Sequence, residues 1–270
     1  MSRETLDALD EQSRNAVYQQ LVHVTYEMSK VRLPQIGTIK SDDYPETLGT
    51  IYMAIRAEVG PFTDPKLYYK MLAVRYWQYA MSRMPPQPRA LTDWTWARAQ
   101  HAERDLFSAY LYMQLAEHIQ QQEIPQTAGF LLQNPRLFEN LSNYLFDKKG
   151  ELVAVVEWEE CATVPVWGFH PVPFAMRGEE NKVLEMLSEL QQKEGFRGET
   201  CANIYAMPLS RCMRKMEMLM VVDCDRWKPA LDIYRWIFKE DLTEEPEHPE
   251  NVKAVMQRAL DHMKVWVAKS

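Results

Sequence analysis

Glu157, Glu159 and Glu160 place three carboxylates within four positions of Val155-Val156-Glu157-Trp158-Glu159-Glu160, and a histidine, His170, follows in Gly168-Phe169-His170-Pro171. Grouped carboxylates suit a cation, and the planar fork of a guanidinium can meet a carboxylate with two parallel hydrogen bonds. An imidazole near such a group has the pKa range of a general acid or base. The plainer alternatives are that Glu159 and Glu160 are solvated loop residues and that His170 is a satisfied structural histidine. His23, His101, His118 and His262 fall in helical stretches and read as structural.

A second constellation lies in residues 65–104. There Lys66, Lys70, Arg75, Arg83, Arg89, Arg98 and Arg104 face only Asp93 and Glu103, a local charge of +5 in a chain whose net charge is -7. Tyr68, Tyr69, Tyr76, Trp77, Tyr79, Trp94 and Trp96 are interleaved with them. Cations that hold phosphates and aromatics that stack splayed bases are the elements of an RNA surface, with Lys66, Lys70, Arg75, Arg83, Arg89 and Arg98 as its contacts and tRNA as a candidate partner. Against this stands helical spacing: Tyr68, Tyr69, Leu72, Tyr76, Tyr79 and Ala80 recur as one face of a helix, which reads as core under a solvated charged surface. Met213, Met216, Met218 and Met220 read as adaptable core packing. Cys161, Cys201, Cys212 and Cys224 show no close pair of the zinc or redox kind, so buried reduced thiols are expected, with no metal and no cofactor.

The elements that must position these residues are mainly helical. A hydrophobic content of 46% over 270 residues is enough for a full core. No run of about 18 apolar residues and no charged-then-apolar leader occurs, so the expected setting is cytoplasmic, without a membrane. Val17, Leu21, Val24, Met28 and Val31 trace a helix over residues 5–31, ended by Pro34 and Gly37. Residues 38–64 read as a loop with one short hairpin near Thr50 to Ile55. Helices over 65–83 and 92–122 are parted by Met84-Pro85-Pro86-Gln87-Pro88, where prolines lack the amide hydrogen. Tyr144-Leu145-Phe146 and Leu152-Val153-Ala154-Val155-Val156 flank Asp147-Lys148-Lys149-Gly150 as a hairpin. An ordered loop over Thr163 to Pro173 and helices over 179–194, 209–221, 227–239 and 249–267 complete the chain.

The hairpin carries a resemblance. Leu141-Ser142-Asn143-Tyr144-Leu145-Phe146-Asp147, a turn, and Val155-Val156-Glu157-Trp158-Glu159 resemble the active-site core of fungal-type aminoglycoside phosphotransferase and choline-kinase-like proteins. In that pattern His-x-Asp precedes Asn by four residues, and a second strand ends in Ile-Asp-Trp-Glu. Cys161-Ala162-Thr163-Val164-Pro165 and Arg32-Leu33-Pro34-Gln35-Ile36-Gly37 extend the similarity over most of residues 17–175. The resemblance implies that Asn143 matches a magnesium-binding asparagine and that Glu157 stands at the second-strand aspartate, on a cleft floor. Counted back without gaps, Arg136 and Phe138 occupy the His and catalytic Asp positions; a two-residue slide instead aligns Asn134-Pro135-Arg136 with His-Pro-Asp. Neither alignment keeps the aspartate, although Glu139 lies one place away. About sixteen residues precede the first matched helix, without a Gly-rich phosphate loop or a strand lysine, so independent phosphate transfer is not expected.

The fold expected is thus mainly α, of α+β type: a single kinase-like helical C-terminal lobe over 1–270 with a small hairpin and no ATP lobe. It divides into the first helix and its end (1–37), a loop (38–64), helices (65–133), the hairpin and cleft loop (134–175) and the C-terminal helices (176–270). Glu157, Glu139 and His170 are the candidate catalytic residues, with Glu159, Glu160, Asn143 and Arg136 lining the substrate. Three functions compete: another group transfer on a cationic substrate, such as tRNA-dependent aminoacyl transfer of the arginine cyclodipeptide type; a non-catalytic binder of pseudokinase type; and a small-molecule phosphotransferase completed by a separate ATP lobe. In a partly dehydrated cleft, neutralising Glu157 would weaken a cationic ligand by about 2–5 kcal/mol.

Overall fold

The structure, a computed structural model, describes residues 3–38, 51–52, 58–82, 96–124, 129–134, 137, 141–158, 161–173, 176, 178–195, 201–221, 236–237, 261 and 265. These residues form an α+β protein, mostly helical with small antiparallel sheets. The one-domain expectation meets a chain with two compact units, residues 1–65 with 125–221 and residues 66–124 with 222–270.

The first unit opens with two helices where the apolar period suggests one, α1 (Arg3–Asp7) and α2 (Glu11–Lys30). Asp10 divides them. Its backbone is extended, and its carboxylate accepts from the Ser13 amide at 2.8 Å and from the Ser13 hydroxyl at 2.8 Å, which also holds its pKa below the usual value. After α2 the chain turns extended at Val31. Two short strands, β1 (Arg32–Leu33) and β2 (Gly37–Thr38), then stand where the sequence suggests only a helix end.

They belong to a four-stranded antiparallel sheet in the order β1-β5-β8-β2, with β5 at Phe130–Gln133 and β8 at Ala162–Val164. Arg32 lies opposite Leu131, Gln133 opposite Ala162, and Gly37 opposite Thr163. Thr163 stitches the β2 side together: its fully buried hydroxyl accepts from the Gly37 amide at 3.0 Å and donates to the Gln35 carbonyl at 2.6 Å. At Gly129 a Cβ would meet the Leu33 carbonyl at 3.0 Å, and φ is +90°, so only glycine enters β5 this close to β1. The loop expected from Thr163 to Pro173 therefore begins inside a strand, and the hairpin expected near Thr50 to Ile55 is the pair β3 (Ile51–Tyr52) and β4 (Glu58–Val59).

The hairpin of Tyr144–Phe146 (β6) and Leu152–Val155 (β7) forms as the sequence suggests. Asp147 closes its turn, its carboxylate accepting from the amides of Lys149 at 2.7 Å and Glu151 at 3.0 Å. Gln20 of α2 clasps the turn, donating to the Gly150 carbonyl and accepting from the Leu152 amide. One hydrophobic core joins Leu6, Tyr18, Leu21, Tyr26, Leu141, Tyr144, Val183 and Leu187, the last two from α5 (Glu180–Lys193). A short helix α6 (Cys201–Ala206), absent from the sequence reading, leads into α7 (Pro208–Val221). Met213 and Met216 of α7 are fully buried, as expected of core packing. Cys161 and Cys212 are buried and joined in no disulfide; the side chains of Cys201 and Cys224 lie outside the described residues.

The second unit holds α3 (Pro65–Ser82) and α4 (Trp96–Gln121). Its core includes Leu72, Tyr76, Tyr112, Leu115 and Ile119, with Tyr76 edge-on to Tyr112 at 5.4 Å. Of the helices expected over 227–239 and 249–267, only Trp236, Ile237, Asp261 and Val265 are described, all helical. Among the described residues no helix is long and apolar enough to cross a membrane.

Candidate functional site

The site is built from the end of β5 and the base of the hairpin. The turn Leu141–Asn143 delivers the chain into β6, and the Asn143 carbonyl accepts from the Val156 amide at 3.0 Å, closing the hairpin one residue beyond β7. Asn134, fully buried immediately after β5, donates from its side-chain amide to the Glu157 carbonyl at 2.9 Å. The Trp158 carbonyl accepts from the Cys161 amide at 3.0 Å, and the Trp158 indole N–H donates to the Val155 carbonyl at 2.8 Å. Three hydrogen bonds thus fix the dipeptide Glu157-Trp158, and a fourth, from the Val156 amide to the Asn143 carbonyl, fixes the residue before it.

Glu157 pays a conformational cost within that frame. At φ +63° it is the single non-glycine residue with positive φ among the described residues, a conformation that costs an L-residue with a Cβ roughly 1–2 kcal/mol. Its side chain is exposed, and among the described residues its carboxylate has no hydrogen bond and no ion pair. Trp158 is 41% exposed, with its one donor engaged internally and no aromatic or cationic partner on its ring among the described residues. The exposure removes the premise of a dehydrated cleft at Glu157, and with it the expected cost of 2–5 kcal/mol. Around the site the buried groups are muted: burial pushes the Cys161 thiol up to about 12 and raises the Tyr144 phenol well above its ordinary value.

His170 reaches the same strand end by a different route. Its amide donates to the buried side chain of Gln133 at 3.0 Å, and Gln133 precedes Asn134. The imidazole is half-buried and lies edge-on to Tyr205 with ring centres 6.2 Å apart. Arg214, itself buried, stacks its guanidinium on the other partner of this group, 3.5 Å from the Tyr205 ring centre, and donates to the Tyr205 carbonyl at 2.9 Å. Burial raises the Tyr205 phenol, with Arg214 opposing the shift and Glu180 adding to it.

Of the remaining expected site residues, Asn143 is buried beneath the hairpin. Glu139, Arg136, Glu159 and Glu160 lie outside the described residues. Among the described residues no three His, Cys, Asp or Glu side chains gather as a metal site. In the basic segment, Tyr68, Tyr69 and Tyr76 are buried, so the helical stripe is core and these rings offer no stacking platform. Lys66 donates to the Gln120 carbonyl at 2.9 Å and Arg75 to Gln78 at 3.2 Å, while Lys70 is exposed. The side chains of Arg83, Arg89 and Arg98 lie outside the described residues. Sequence reasoning missed Gln133 and Asn134 as organisers. Their signal was the polar pair that ends Phe130-Leu131-Leu132 just before Pro135.

Compared with protein-family models, curated proteins and solved structures, the chain matches none of them.

Proposed function

We propose that this chain is a kinase-like C-terminal lobe that binds a cationic small ligand at Glu157 and does not transfer phosphate on its own. The carrying observation is the left-handed backbone of Glu157, held by the buried amide of Asn134 while the carboxylate has no partner among the described residues. A residue kept in a costly conformation by its surroundings points to use of its side chain. The hairpin that the kinase-like resemblance singles out is the element that delivers it.

A second reading, group transfer on that ligand, is favoured by one observation: the adjacent side chains of Gln133 and Asn134 anchor the backbone of the His170 loop and of Glu157 to neighbouring positions at one strand end. An imidazole there could act as acid or base toward a held substrate.

Titration of the full chain with n-butylguanidinium and n-pentylammonium, followed by tryptophan fluorescence, tests the first reading. Binding of at least one cation is expected, weakened about fivefold by Glu157→Gln, as suits an exposed charge pair. Glu151→Gln, an exposed hairpin carboxylate away from the pinned dipeptide, should bind as the parent does. Binding by neither cation, or equal binding by Glu157→Gln, overturns the proposal.

A further inference from the structure

We infer that the ligand of this site presents its charge as a planar guanidinium, stacked on the face of Trp158 and end-on to Glu157. The inference rests on the cation-binding reading above and adds the chemical class of the cation.

The reasoning starts from what Trp158 can still offer. An indole has one hydrogen-bond donor and no acceptor. Here that donor is engaged with the Val155 carbonyl at 2.8 Å, so a ligand meets only the π face and edge of an indole that is 41% exposed. A π face attracts cations of every shape, but a flat, weakly hydrated guanidinium stacks on it with more contact than a compact, strongly hydrated ammonium. The neighbouring carboxylate makes the same choice for another reason. With no partner among the described residues, both of its oxygens are available, and two oxygens accept the parallel N–H pair of a guanidinium.

Rigidity lets the two preferences act together. The Glu157 carbonyl is held by Asn134, the Trp158 carbonyl by the Cys161 amide, and the Val156 amide by Asn143. The ligand therefore need not order the backbone, a cost that an unpinned surface loop would subtract from binding.

The test compares n-butylguanidinium with n-pentylammonium on the full chain. Binding is read from ligand line broadening and chemical shift in proton NMR, which does not depend on Trp158 fluorescence. The parent should prefer the guanidinium by about threefold to fivefold, the size expected of stacking at an exposed site. Trp158→Leu should reduce the preference to the smaller part that the two oxygens of Glu157 supply, and leave residual, Glu157-dependent binding of both cations. Trp158→Tyr, which keeps a π face, should restore most of the preference even if both variants lose some stability with the Val155 hydrogen bond. Equal affinities in the parent, with Glu157→Gln still weakening both, overturn the guanidinium inference and leave the cation-binding reading standing. A preference undiminished in Trp158→Leu, or one that Trp158→Tyr fails to restore while folded, overturns it as well. Absence of binding by either cation removes both.

Discussion

Replacing Glu157 by glycine should stabilise the protein, an unusual direction for a change at a candidate functional residue. At φ +63° the Cβ of glutamate crowds the following carbonyl, and removing it relieves roughly 1–2 kcal/mol. Glycine returns part of this through the greater freedom of its unfolded chain, about 0.5–1 kcal/mol. The lost side chain is exposed and unpartnered among the described residues, so no packing or ion-pair loss is added. The net gain is about 0.5–1 kcal/mol; with a urea m-value near 2 kcal/mol/M, the midpoint should rise by roughly 0.2–0.5 M. Because the chain has two compact units, the transition of residues 1–65 with 125–221 must be followed separately, for example by hydrogen exchange of the Val156 amide along the urea series. Companion variants fix the cause: Glu157→Asn should lie between parent and glycine, since asparagine tolerates the left-handed region, and Glu157→Val should fall below the parent. A lowered midpoint for Glu157→Gly together with a neutral Glu157→Val would refute the left-handed assignment and the argument built on it. A raised midpoint with lost cation binding would instead separate the two properties of this residue: stability against function.

Three other outcomes follow from buried or half-buried groups. Thr163→Val keeps shape but leaves the Gly37 amide and the Gln35 carbonyl without their buried partner, and should cost about 1–3 kcal/mol in urea denaturation; an unchanged midpoint would show that the stitch is dispensable. Cys161, its thiol pushed up to about 12, should react with a thiol reagent at pH 8 far more slowly in the native than in the urea-unfolded protein, and comparable rates would contradict its burial. His118, packed edge-on to Trp236 with ring centres 4.6 Å apart, has its pKa lowered from the ordinary 6.5 by burial. The unfolded chain then binds the proton more readily, so the stability this residue allows is present above about pH 6.5 and declines as the pH falls below it. His118→Gln should flatten the dependence measured between pH 7.5 and 5.5, and an equal slope in the variant would discount His118 as its source.

Local pattern made some of this legible. Helices α2, α3 and α5 follow apolar periods that one segment contains, and the β6–β7 hairpin brings its strands and turn within the consecutive residues Tyr144 to Val155. The four-stranded sheet escaped for a physical reason. Its strands are two to four residues long, too short to show alternation, and they pair across the chain, as Arg32 with Leu131 and Gly37 with Thr163. Asp10 hid in the same way, because one capping carboxylate interrupts a helix without disturbing the hydrophobic spacing on either side of it.

Glu157 was readable as a carboxylate and unreadable as a conformation. Nothing in a glutamate announces positive φ, whereas a glycine at that place would have, and a turn that needed only the backbone would be satisfied more cheaply by glycine. The frame around it is not local either: the amide that holds its carbonyl comes from Asn134, twenty-three residues earlier, and Asn134 is buried. A buried amide donor without an acceptor costs about 1–3 kcal/mol, comparable to the strain at Glu157, so the Asn134 bond can hold that strain in place. Asn134→Ala removes this restraint while sparing every side chain of the dipeptide. It should therefore let Glu157 relax toward ordinary φ, weaken cation binding although Glu157 and Trp158 remain, and abolish the stability gain of Glu157→Gly when the two changes are combined. Simple addition of the two effects in that double-mutant cycle would mean that the asparagine and the left-handed residue act independently, and the proposed frame would not stand.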